Sequence, residues 1–295
     1  MMIKKQTLAG LIVATIVATS SGNALAGPSY DSADTRALVE SMVEAHGGLD
    51  SWMEAPSFSY KYAMYLVSLP VGGDTGRNHS DSWRLYEATL EPRTSRGYLT
   101  LPMEDSTGPH AGFDGENLWR TPYDFDPSFQ DPPFQLMYYH FAMISLPWVT
   151  QLDGVVLEDL GLRKLPTREA ELHAVRMSFS PEGKTHGGHY DLYIDPQTKR
   201  LTGWIGTTQV PMMPGDFLPA KMEGTDGPGR IARIVDQHAE IDGRVIPISY
   251  SSVATDGSDR LFGVHLLMEA SFVETFDESM IRPPENAEVV YQVEH

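Results

Sequence analysis

"FQLMYYHFAMISLPWV", residues 134–149, decides how this sequence is read, and "DFDPSFQDPP" stands directly before it. Nearly every member is apolar or aromatic. Read as a helix, its polar residues Gln135, His140 and Ser145 point in three different directions at 100° per residue, so it has no polar face. It is also shorter than the roughly 20 residues that a bilayer span needs, and Pro147 lies inside it. A segment of this kind has to be covered on all sides, by the rest of the protein or by an apolar ligand.

The remainder of the chain gives that segment an aqueous setting. The sequence has 295 residues, no cysteine and a formal net charge of −18. Without cysteine there can be no disulfide and no thiolate metal site, so the fold rests on its hydrophobic core. An acidic surface of this size repels nucleic acid and anionic headgroups in general. At the N-terminus, Lys4 and Lys5 precede an apolar run from Leu8 to Ala18, and Ala24-Leu25-Ala26 follows. This layout predicts a secretory signal peptide over 1–26 that is cleaved, leaving a single domain over 27–295 in the periplasm or secreted. No lipidation cysteine follows the cleavage site.

"DTRALVESMVEAHGG" predicts one amphipathic helix with Asp34 as N-cap and an apolar stripe of Leu38, Met42, Ala45 and Leu49. Gly47 is suited to the left-handed position that ends it. His46 sits at the C-terminus of that helix, where an imidazolium interacts well with the dipole, a structural role. After Pro56 the period becomes two. Phe58, Tyr60, Tyr62, Met64 and Leu66 share one face of a strand. Strands are also expected in "SWRLYEATL", "RGYLTLP", "HAGFDGENLWRT", "LHAVRMSFS", "HYDLYID", "RLTGWIGTTQV", "RIARIVDQHAEI", "RVIPISYSSVA" and "LFGVHLLMEASFVE". Asp114-Gly115, Asp242-Gly243 and Asp256-Gly257 supply hairpin turns, because they tolerate positive φ. A long antiparallel meander has to curl or close to protect its edges. The block from Pro122 to about Arg168, which contains 134–149 and "DGVVLEDLGLRKLP", interrupts it.

Chemical motifs are sparse. "THGGHYD" places His186, His189 and Asp191 within metal-ligand spacing, yet the glycines also suit a turn into a strand, alternation would send Asp191 away from Tyr190, and no third ligand stands out elsewhere. No metal site is expected, and no cofactor. Gly-x-Ser-x-Gly, His-Glu-x-x-His, a P-loop and Gly-x-Gly-x-x-Gly are all missing from the sequence, so an enzyme is not the first reading. His140 reads as a satisfied buried histidine, and His110, His238 and His265 fall singly on turns or strands. The aromatics carry more. Trp83, Trp119 and Trp204 fall in expected strands together with Tyr60, Tyr62 and Tyr98. They form either an ordinary core or the lining of a ligand cavity, since such sites are mostly apolar and aromatic.

The order of signal peptide, N-terminal helix, antiparallel strands, apolar interruption, more strands and a closing "FVETFDESMIRPPENA" resembles the LolA/LolB lipoprotein-carrier superfamily. "EAHGGLDSW", "YYHFAM", "DGVVLEDLG" and "YDLYIDPQTKRLTGW" are similar to segments of an uncharacterised family of secreted bacterial proteins with this architecture. The resemblance implies a mainly β fold: an antiparallel incomplete (half) β-barrel with an N-terminal helix and a central helical lid segment. It also implies a periplasmic carrier that holds a lipid or lipidated molecule in a hydrophobic cavity, and a membrane-bound donor or acceptor protein. On that reading the ligand meets Phe134, Met137, Tyr138, Phe141, Ile144 and Trp148 of the lid. Tyr62, Trp83, Trp119 and Trp204 of the sheet complete the set. Arg84, Arg96 and Arg120 are candidates for the barrel arginine that holds the lid closed. There are two rival functions: an envelope sensor or protein-interaction module that keeps the fold and uses the cleft to recognise a partner, and a hydrolase built from distributed histidines and acids.

Overall fold

The computed structural model describes residues 27–66, 82–94, 96–101, 110–122, 143–179, 189–206 and 231–292. The signal-peptide expectation, and residues 134–142 of the opening stretch, lie outside these. The first half of the chain supplies β1 (Ser29–Tyr30), α1 (Ala33–Ala45), α2 (Leu49–Met53), β2 (Ser57–Leu66) and β3 (Ser82–Leu90). It continues with β4 (Gly97–Thr100), β5 (Ala111–Phe113) and β6 (Asn117–Arg120). Next come α3 (Leu146–Val149), β7 (Val155–Lys164), β8 (Glu171–Phe179), β9 (His189–Ile194) and β10 (Leu201–Gly206). The last strands are β11 (Ile231–Ile241), β12 (Arg244–Ala254), β13 (Leu261–Val273) and β14 (Glu288–Gln292).

All of these strands join one sheet in the order β1-β7-β8-β9-β10-β11-β12-β13-β2-β3-β4-β5-β6-β14. Two meanders, β2 to β6 and β7 to β13, are joined through antiparallel pairing of β13 with β2. β1 alone pairs in parallel, with Ser29 opposite Val156 and Tyr30 opposite Leu157. The two end strands do not pair with each other, so the sheet is an incomplete barrel and not a closed one. Its inner face carries one continuous core that runs from Leu157 on β7 to Leu118 on β6 and takes in α1, α2 and α3. Among the described residues, no helix is long and apolar enough to cross a membrane.

This order gives the central block a topological task. The chain leaves β6 beside one end of the sheet and re-enters as β7 beside the other, so the connection over 121–154 has to carry it across. "DGVVLEDLGLRKLP" is part of the meander and not an interruption of it. Val155 and Leu157 start an ordinary alternation, but the register shifts between Asp159 and Gly161. Gly161 has a φ of +72°, and its N–H donates to Asp159 Oδ1 at 2.8 Å. The bulge changes the phase of the alternation, which hides the strand from a period-two reading.

The N-terminal helix also differs in detail. Its N-cap is Ser32, whose Oγ accepts from the Thr35 N–H at 3.0 Å, and not Asp34. The buried stripe is Thr35, Val39, Met42 and Val43, rotated by about one residue from the expected one. Gly47, at φ +102°, does end the helix in the left-handed region. Leu49 opens a second short helix, α2, whose Trp52 is buried.

On the outer face, residues 276–281 lie over β4 to β6. Arg96 holds this segment with two hydrogen bonds to Glu278, at 2.9 and 2.8 Å. Trp119 donates its Nε1–H to the Ile281 carbonyl at 2.7 Å. Gly112, opposite Trp119 in the register, leaves room for the indole. A Cβ there would stand 2.4 Å from Trp119 Cζ2 and 2.6 Å from Cε2. The ring is held at its nitrogen and cannot swing aside freely. Gly112→Ala is therefore expected to cost about 2 kcal/mol through overpacking, read as a lower urea midpoint with an unchanged slope. An unchanged midpoint would mean that the segment over Trp119 yields.

Candidate functional site

The inner face places its side chains by strand register. Tyr62 stands opposite Tyr86 on β3 and opposite Leu267 on β13. Met64 stands opposite His265, and His265 opposite Tyr250. On β11, Arg233 stands opposite both Trp204 and Ser252. Alternation with a period of two residues sends all of these to one face. The result is a wall of Tyr62, Met64, Tyr86, Trp204 and Tyr250, buried at 0–5% exposure, with a few polar groups set into it. Trp204 meets Tyr250 edge-on, with ring centroids 5.4 Å apart at 80°.

The polar groups form a chain across β2, β13 and β12. Tyr62 Oη is hydrogen-bonded to His265 Nδ1, and Ser252 Oγ lies 2.6 Å from His265 Nε2. All three residues are buried. Burial first, and the charge of nearby Arg233 second, hold His265 well below the usual histidine range, so its ring is neutral at pH 7. Arg233 is only partly buried.

Residues 143–149 lie against this face and against the helices. Met143 to Val149 are buried throughout, and Tyr250 donates its hydroxyl hydrogen to the Met143 carbonyl. Trp148 is the anchor. Its ring stacks on Trp52 with centroids 4.1 Å apart and planes at 6°, and His46 meets it edge-on at 5.9 Å. Its Nε1–H donates to the Gly48 carbonyl at 3.0 Å. The described half of the opening stretch is therefore packed core at the interface of helices and sheet.

His46 braces the same corner. A carbonyl only accepts, so Nδ1 carries the hydrogen donated to Val245 O at 2.6 Å. Nε2 then accepts from the Leu201 N–H at 3.1 Å. Both ring nitrogens are used by the neutral tautomer, and burial lowers the pKa to about 4. The structural role read from the helix end holds, but the imidazolium does not: His46 is a neutral clamp between β10 and β12.

The residues expected at the site divide into four groups. Tyr62 and Trp204 stand on the inner face. Ile144 and Trp148 are buried in the packed crossover. Phe134, Met137, Tyr138 and Phe141 lie outside the described residues, as does His140. Trp119 is a correction: it stands on the outer face beneath Ile281, so it does not line the inner wall. Trp83 is opposite Tyr65, in the set alternate to Tyr62 and Met64, and its side chain lies outside the described residues. Arg96 and Arg120 form ion pairs with Glu278 and Glu288. His186 lies outside the described residues, and His189 Nε2 is 3.9 Å from Asp191, whose carboxylate takes two hydrogen bonds from Arg176. Among the described residues, no cluster of three metal-ligating side chains occurs. Tyr250, Ser252, His265 and Arg233 were not singled out by spacing. The signal for His265 was present in "FGVHLLM", where it alternates with Gly263 and Leu267 on one face.

No protein-family model matches the chain, and no curated protein matches it. Among solved structures, the chain is similar to a LolA superfamily protein from Nitrosomonas europaea. The identity is 10%, with 84% of this chain and 97% of that chain covered and a TM-score of 0.49. A DUF1329 family protein from Desulfovibrio piger gives 8% identity, coverage of 84% and 97%, and a TM-score of 0.46. MucB gives 10% identity, coverage of 88% and 66%, and a TM-score of 0.28.

Proposed function

We propose that this chain is a periplasmic binding or carrier protein whose inner sheet face takes an apolar ligand, a lipid or a lipidated molecule. The observation that carries the reading is the crossover. Residues 143–149, the described apolar part of the link between β6 and β7, are buried against an inner face rich in aromatics. The portion ahead of them, "FQLMYYHFA", is as apolar as the part that is packed.

The energy available suits carriage. Burying a methylene contributes about 0.8 kcal/mol, so a sixteen-carbon chain gains roughly 12 kcal/mol on leaving water. Association costs of about 4 kcal/mol or more still leave a tight complex. Carriage also needs a donor and an acceptor, expected at the two membranes that face the periplasm. The Tyr62–His265–Ser252 chain is better read as a cross-strand brace than as a hydrolytic relay. A histidine held neutral far below pH 7 is a weak general base, and a nucleophile has to be reachable.

Mass spectrometry of organic extracts from the purified protein is expected to find a long-chain molecule in near-stoichiometric amount. A spin-labelled fatty acyl probe is expected to displace it and to quench Trp204 fluorescence. Protein that carries no apolar molecule and leaves the probe unbound would end the carrier reading.

A further inference from the structure

We propose that the far edge of β14 docks a short, extended, basic segment of a partner protein, which joins the sheet as one more strand. An open sheet has two ends, and each presents main-chain N–H and C=O groups that can template a further strand. The β7 end is closed by the chain itself. There the Asp31 N–H donates to the Leu157 carbonyl at 3.0 Å, and the Asp159 N–H donates to Asp31 Oδ2 at 2.8 Å. Arg163 Nε donates to the Leu160 carbonyl at 3.0 Å, beside the bulge at Gly161. The β14 end has no such cover. Among the described residues, no strand pairs with its far side, and no side chain is hydrogen-bonded to the main chain of Val289 or Val290. Val289 is 49% exposed, one of four exposed large apolar side chains among the described residues, so the edge carries an apolar contact as well.

The edge is already ordered. β6 pairs with β14 at four positions, and Val290 packs on the inner core. Arg120 donates from Nε and Nη2 to Glu288 at 3.0 and 2.9 Å. A strand held in this way loses little freedom when another joins it. The register shift between Val289 and Tyr291 bends the strand, so its straight reach suits a short occupant of about four residues. Main-chain bonds supply affinity in such an addition, and the side chains choose the partner. Val289 favours a β-branched neighbour across the new pair. Charge decides the rest. The sequence carries −18, so a second acidic copy approaches against repulsion, whereas a cationic segment is drawn in. Arg120 answers Glu288 from β6, and Glu285, exposed where the chain enters the strand, has no ion-pair partner among the described residues.

The test uses the whole protein at low salt with three labelled octapeptides. One alternates valine and lysine, one alternates valine and glutamate, and the third is the first with every main-chain N–H methylated. Fluorescence anisotropy is expected to show the lysine peptide binding about tenfold more tightly than the glutamate peptide, with the methylated one unbound. Hydrogen exchange is expected to slow at residues 288–292 when the lysine peptide is added, and to stay unchanged at 155–164. Val289→Lys, a change at an exposed side chain, is expected to weaken that peptide about fivefold with an unchanged Tm. Equal binding of the methylated peptide overturns the proposal, since charge alone would then hold it. Protection at 155–164 in place of 288–292 overturns it too, as does a lysine peptide that does not bind. A wild-type dimer in sedimentation that Val289→Lys dissociates would make the occupant a second copy and overturn the partner assignment. None of these outcomes bears on carriage, which is read from the bound apolar molecule.

Discussion

Trp148→Ala is expected to destabilise the protein by about 4 kcal/mol, within the range that truncation of a buried tryptophan covers. The indole is 2% exposed, so nearly all of its surface returns to a cavity and none of the loss is recovered from solvent. Three contacts go together: the stack on Trp52, the edge contact with His46 and the hydrogen bond to the Gly48 carbonyl. The backbone has little freedom to collapse into the gap. Pro147 fixes one side, and Thr150 Oγ1 bonds back to its carbonyl at 2.6 Å. Trp148→Phe keeps the stack and loses the donor, so a smaller loss of about 1–2 kcal/mol is expected. Urea unfolding at pH 7.5 measures both. For a chain of this size the alanine variant should melt roughly 10 °C lower. A loss below about 1 kcal/mol would mean that residues 143–149 are loosely seated against the helices and the sheet.

Elements differ in how far they are legible in the sequence. Strands with clean alternation, such as "FSYKYAMYL", were readable because one face is the more deeply buried and carries the large side chains. β7 was not, since the bulge at Asp159 and Gly161 shifts its phase after two apolar residues. β14 is short, and its exposed Val289 offers no alternation to detect. The α1 stripe was displaced by one position because Val39 and Val43 are as apolar as Leu38, and only the packing partner decides between them. The inner wall was half legible. Tyr62 and Trp204 follow from aromatic alternation, but alternation alone does not say which face is inner. Trp119 shows the difficulty: it alternates like a lining residue and is buried against residues 276–281 on the other side. His265 and Ser252 meet only through register, across a hairpin whose pairing a single sequence does not print.

His46 carries the last expectation, a loss of about 3 kcal/mol of stability between pH 6.5 and pH 4. Its pKa in the folded protein is about 4, against an ordinary value of 6.5, and burial is the main cause. Above pH 6.5 neither state binds a proton at this site, and its contribution to stability is whole. As the pH falls from 6.5 toward 4, the unfolded chain takes up a proton that the folded protein refuses, so stability falls. Below about 4 both states are protonated and the loss levels off. At 1.36 kcal/mol for each pH unit the window amounts to roughly 3 kcal/mol, and the ring has no exposed surface that would call for a screening discount. His238 and His265 are lowered too and act in the same direction. The carboxylates held low, among them Asp195 and Asp277, begin to contribute only below about pH 5, so the upper part of this window belongs to the histidines. Protonating Nε2 would leave two hydrogens where the Leu201 N–H already points at the ring, so the folded state has no cheap way to accept the charge. His46→Ala removes the acceptor for Leu201 and the donor for Val245, and is expected to be several kcal/mol less stable at pH 7.5. Its stability should then fall less steeply from pH 6.5 to 4 than the wild type's. The measurement is urea unfolding of both proteins at half-unit steps. Parallel pH curves would show that the ring titrates freely and does not clamp β10 to β12.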